Sequence, residues 1–125
     1  MTPWSKRYSL PGAIALLISG LLILGIGVSP VWAQADSSPN PDRGAVVFAA
    51  NCAGCHAQGG NIIRRGKSLK QRALQRYHMD DLEAIATIVT QGKMPMSGYA
   101  DRLSSQEIYD VAAYVLQQAE AGWPS

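Results

Sequence analysis

From Gly12 to Val28 the chain is an almost unbroken apolar run, whereas beyond Asp36 apolar residues recur at helical spacing between polar ones. Ile108, Val111, Ala112, Val115 and Leu116 fall three and four apart, which places them on one helical face. Ser104 and Glu107 form a capping box that opens this helix, and Gly122 marks its end. Asn40 followed by Pro41 reads as a cap and a first-turn proline, predicting a helix from Pro41 to about Cys52 with Gly44 and Phe48 on one face. Ser68 with Gln71 predicts a short helix through Arg76. Asp80 with Glu83 predicts another through Thr90, stopped by Gly92. The stretches "AQGGNIIRRGK" and "KMPMSGYADRL" read as loops because glycine and proline interrupt them. No segment alternates convincingly enough for a strand, so the pattern predicts an all-α domain of about four helices.

The apolar run changes what counts as the folded domain. Lys6 and Arg7 precede it, and "VWAQA" follows with small residues at Ala33 and Ala35. This is the order of an export signal, predicting a signal peptide over 1–35 and a mature domain over 36–125. The alternative is a retained anchor, but the run is short against the roughly 20 residues of a membrane span. The 11 basic residues exceed the 9 acidic ones by two. Removing Lys6 and Arg7 balances them. So small a domain builds a thin core unless something else fills it.

The chemistry concentrates in "AANCAGCHAQGG", where the only two cysteines, Cys52 and Cys55, are followed by His56. Three readings fit: a dithiol redox pair, part of a zinc site, or covalent attachment of a c-type heme. Zinc needs further ligands, and the only other histidine is His78. A thioredoxin-like dithiol sits within alternating strands and helices, which this chain does not show. Two cysteines three apart can reach both vinyl groups on one side of a porphyrin, with His56 next in line as an iron ligand. Context favours heme. Export permits both heme attachment and disulfide formation, so compartment does not decide.

Arg64, Arg65, Lys67, Lys70, Arg72 and Arg76 crowd into "RRGKSLKQRALQR". The run reads equally as a solvated helix face or as a docking patch for an acidic partner protein. Nucleic acid fits poorly, because no aromatic residue interleaves before Tyr77 and no binding motif accompanies the run.

Taken together, "DRGAVVFAANCAGCHA", "KSLKQRAL", "GKMPMSGYADRLS" and "IYDVAAYVLQQAEAGW" resemble the class I cytochromes c, and within them the small photosynthetic carriers of the cytochrome c6 family. The resemblance spans the mature chain. It implies a small class I cytochrome c fold with one covalent heme c on Cys52 and Cys55 and His56 as proximal ligand to its iron. First and last helices would cross through Gly44 and Phe48 against Val111 and Tyr114. The family often anchors the second ring nitrogen of that histidine on a proline carbonyl, and by spacing Arg65 stands there. For the sixth ligand, Met96 lies four after Gly92 and seven before Leu103, as the family's methionine does. Met94-Pro95 instead matches the family's Met-Pro pair, and whichever methionine is not the ligand fills space. His78 and Met79 are remoter candidates, read as positions at a helix junction. Ile88 occupies a place where many of these carriers hold a glutamine near the heme, a replacement associated with a lower potential.

The resemblance implies an exported one-electron carrier of the thylakoid lumen or periplasm, a monomer and not an enzyme. It would serve membrane redox complexes: a donor such as cytochrome b6f, and an acceptor such as photosystem I or a terminal oxidase. No small-molecule substrate or nucleic acid is implied. A lower potential would argue against this chain replacing plastocyanin as the usual donor to photosystem I. The alternatives are a heme sensor or enzyme with a labile sixth ligand, and a cytochrome subunit held in a larger redox complex.

Overall fold

The computed structural model describes residues 37–124; the signal peptide expected over 1–35 lies outside them. Among the described residues no helix is long and apolar enough to cross a membrane. The first helix, α1 (Pro41–Asn51), starts where Asn40 accepts hydrogen bonds from the Asp42 and Arg43 N–H groups. A short α2 (Ala53–His56) continues it through the cysteine motif. After two 3-10 turns come α3 (Gln71–Arg76) and α4 (Leu82–Gln91). The last helix, α5 (Ser105–Ala121), carries the expected capping box of Ser104 and Glu107 and ends at Gly122, whose φ of 79° suits a residue without Cβ.

Two expected starts shift. Helix α4 is capped by Asp81, whose Oδ1 accepts from the Ala84 N–H, and not by Asp80. The Ser68 and Gln71 box does not form, and α3 begins after Lys70 with no side-chain cap. Leu69 explains this: its N–H donates to the Gly59 carbonyl and its own carbonyl accepts the Trp123 indole N–H. Tertiary partners thereby hold the chain extended where a local cap would have started the helix, and Gln71 Oε1 is buried with no hydrogen-bond partner. A strand pair also appears where none was expected. Strands β1 (Gly92–Lys93) and β2 (Met96–Ser97) pair antiparallel, Lys93 opposite Met96, around Met94-Pro95. Two residues are too few to show a period.

Helices α1 and α5 cross at Gly44. A Cβ there would overlap the Asp110 carbonyl and stand 2.8 Å from Tyr114 Cβ, so only glycine lets the backbones meet. Phe48 sits 5.2 Å from the Tyr114 ring and 5.3 Å from Trp123, spacings at which offset aromatic pairs attract. Val111 is buried in the same core. The crossing is thus the one expected of Gly44 and Phe48, with Asp110 and Trp123 added to it.

Asp110 is only 1 % exposed. Its carboxylate accepts from Arg43 Nε at 2.7 Å, Arg43 Nη2 at 3.1 Å, the Asn40 N–H at 2.7 Å and Gln106 Nε2 at 2.9 Å. Burial alone would raise its pKa, but these bonds to the charged form outweigh it and hold the carboxyl below the ordinary carboxylate range. A depressed carboxyl stabilises the fold above its unfolded pKa of about 3.9 and loses that contribution as pH falls through the lower folded value. Asp110→Asn is therefore expected to cost roughly 2 kcal/mol at pH 7, less than a fully buried pair because Arg43 is half exposed. Urea titrations should show the gap from wild type closing below pH 4; a gap independent of pH would refute the charge argument.

Candidate functional site

A cavity of about 450 Å³ opens between the cysteine motif, α3, α4 and the methionine loop, within the roughly 300–1,000 Å³ of small-molecule and cofactor sites. Buried Phe48, Leu74, Ile85, Val89, Val111 and Val115 form its apolar depth. Cys52, Cys55 and His56 line one side, and Met94 and Met96 line it too. Residues some 40 positions apart in the chain are brought together by α4 and the hairpin after it.

No disulfide joins the cysteines; Cys52 is half-buried and Cys55 exposed. Burial, helped by neighbouring Cys55, pushes the Cys52 thiol up to about 11. A thiol so held is neutral at physiological pH. His56 Nδ1 lies 2.9 Å from the Gly60 carbonyl. Since a carbonyl only accepts, Nδ1 is the donor of this bond and Nε2 is the nitrogen left to face a metal. The partner is Gly60 and not Arg65, because Gln58 at φ 52° and Gly59 at φ 67° turn the chain back on itself directly after His56. The double glycine after the motif was the signal for this tight turn.

The two methionines differ. Met94 is 84 % exposed, whereas Met96 is half-buried and packs against the core. Ile88 lines the cavity half-buried, as does Met79; His78 is exposed and is not among the lining residues. The basic run divides: Arg64 and Lys67 line the cavity from the loop, with Lys67 Nζ 3.1 Å from the Tyr77 ring centroid, while Arg72 and Arg76 belong to α3. All six basic residues are exposed, yet they do not form one helix face. Asn61 organises this loop, accepting from the Ile63 and Arg64 N–H groups and donating to the Lys67 carbonyl.

An apolar slot walled by two cysteine sulfurs, an imidazole with its far nitrogen pinned and a thioether suits a flat apolar ring with a central metal. The donor set fits heme.

Comparison with known proteins agrees. Residues 39–115 match the family described as "Cytochrome C oxidase, cbb3-type, subunit III". A cytochrome c6-like protein of Nostoc sp. is 53 % identical over 108 residues, covering 86 % of this chain and 93 % of its own. Among solved structures, cytochrome c6C from Synechococcus sp. is 57 % identical with a TM-score of 0.64, over 66 % of this chain and all of that one. Cytochrome c6 from the diatom Phaeodactylum tricornutum is 45 % identical with a TM-score of 0.66, over 67 % and 99 %. With its helices, cavity and cysteine motif in place, the chain belongs to the cytochrome c6 family of c-type cytochromes, electron carriers with one covalently bound heme c.

Proposed function

We propose that this protein is an exported one-electron carrier of the thylakoid lumen or periplasm, taking electrons from a membrane complex such as cytochrome b6f. It delivers them to photosystem I or an alternative acceptor such as a terminal oxidase. When bound, the heme supplies the reversible ferrous/ferric couple. Cys52 and Cys55 would hold it by thioethers, and His56 through Nε2 and Met96 through its sulfur would be the iron's ligands. The observation that carries this reading is the convergence of Cys52, Cys55, His56 and Met96 on one apolar cavity. Two strong side-chain ligands leave no open position for a substrate, which favours a carrier over an enzyme. Exposed Ile62 and Ile63 lie beside the cavity-lining Arg64, a mixture of apolar and basic groups suited to brief docking on an acidic partner surface.

Redox titration of the matured protein, repeated under carbon monoxide, tests this. A single one-electron wave unmoved by the gas supports the carrier; a carbon monoxide complex of the reduced form at equilibrium would favour a sensor or enzyme. In the same titration Ile88→Gln is expected to raise the midpoint potential, since a polar group at this wall alters the field at the metal where isoleucine cannot. An unchanged value would remove Ile88 from the tuning of the couple, and a lower one would reverse the expected sign of its effect.

A further inference from the structure

Tyr99 stands three residues beyond Met96, half-buried, lining the cavity and packed against the core. Its backbone and side chain are engaged by different elements. The Tyr99 N–H donates to the Val89 carbonyl of α4 at 2.9 Å, and its carbonyl accepts from the Arg102 and Leu103 N–H groups. Its phenol O–H donates to the Asn51 carbonyl at 3.0 Å, a part-buried bond between residues 48 apart in sequence. Asn51 ends α1, where carbonyls run out of helical partners, and Cys52 follows it. The Arg102 guanidinium lies 4.2 Å from the Tyr99 ring centroid and reaches the Gly98 carbonyl. One side chain thus spans from the loop that carries Met96 to the residue beside the first cysteine.

We propose that Tyr99 is a positioning residue whose hydroxyl clasps the methionine loop to the end of α1 and keeps Met96 closed over the metal against outside ligands. The inference rests on the reading of Met96 as an iron ligand. The strand pairing is two residues long and the Tyr99 N–H ties the loop to α4, while the phenol ties it to the end of α1; Met94 at the tip is exposed. Segments of this kind open locally at far lower cost than the whole fold. A part-buried hydrogen bond at the root of the loop therefore bears directly on how often it opens. Removing the hydroxyl alone leaves the ring packing and the arginine contact in place and strands the Asn51 carbonyl, a loss worth about a fivefold change in the open population.

Cyanide binding to the oxidised, matured protein reports that opening, because the anion enters only when the sulfur is displaced. Tyr99→Phe is expected to bind cyanide about fivefold faster than wild type. Tyr109→Phe is the control: it removes an exposed hydroxyl bond to Glu83 and should match wild type even where its urea midpoint falls. Slow binding at equal rates in wild type and Tyr99→Phe overturns the clasp alone. Acceleration of equal size in both variants also overturns it, as a general stability effect. Immediate binding by wild type overturns the Met96 reading and the clasp with it.

Discussion

Cells that mature c-type cytochromes are expected to yield little folded protein when Cys52 and Cys55 are both changed to alanine. The cavity they flank occupies about 450 Å³ at the centre of a small domain. Without a group to fill it, the apolar lining loses packing partners in a domain whose whole stability is typically only about 5–15 kcal/mol. Leu74, Ile85 and Val115 belong both to this lining and to the core, so an unfilled cavity weakens the packing of the core itself. Far-ultraviolet circular dichroism and thermal melting check the outcome; a cooperatively melting helical protein without heme would show that the polypeptide packs its own core. The wild type should carry its heme mass through acid and organic extraction, as thioethers do not hydrolyse.

Met96→Ala is expected to abolish the weak far-red band of the oxidised form, to open the iron to cyanide, and to lower the midpoint potential. The drop should be on the order of 100 mV, given that axial ligands set heme potentials over about 0.8 V. Met94→Ala should leave all three nearly unchanged. Both side chains line the cavity, but their surroundings separate them. Met94 is 84 % exposed at the turn between β1 and β2, while Met96 lies on β2 opposite Lys93 and packs inward. A ligand must be held in place when the metal changes charge, and a side chain packed on the core is held already. The reverse pattern would move the sixth ligand to Met94. If neither substitution matters, the carrier loses its proposed sixth ligand and the sensor or enzyme alternative gains.

Spectra of these two variants would also resolve a point on which spacing and dipeptide pattern disagree. Counting from Gly92 and from Leu103 selects Met96, and the Met-Pro pair selects Met94. Neither count carries information about burial. Burial is decided by the tertiary packing of Met96 against the core, while Met94 sits at the tip of the β1–β2 turn.

Features decided by near neighbours were legible in the sequence. Asn40 caps α1 and Ser104 with Glu107 caps α5 through atoms two or three residues away, and helical spacing put Gly44 and Phe48 on one side of α1, while the crossing at that side was what the family resemblance implied. The cysteine motif is local in the same sense: Cys52, Cys55 and His56 lie within one turn or so of helix, so their joint chemistry could be read before any fold was known. What tertiary structure alone decided involves partners distant in sequence. Leu69 cancels the cap at Ser68 because Gly59 and Trp123 claim its backbone. His56 finds Gly60 because of two left-handed residues in between. Asp110 meets Arg43, and Tyr99 meets Asn51, only after the helices have crossed. A hydrogen-bond donor has no preference in sequence for one distant carbonyl over another. The choice is made by whichever acceptor packing leaves buried and unpaired, and that is a property of the assembled core.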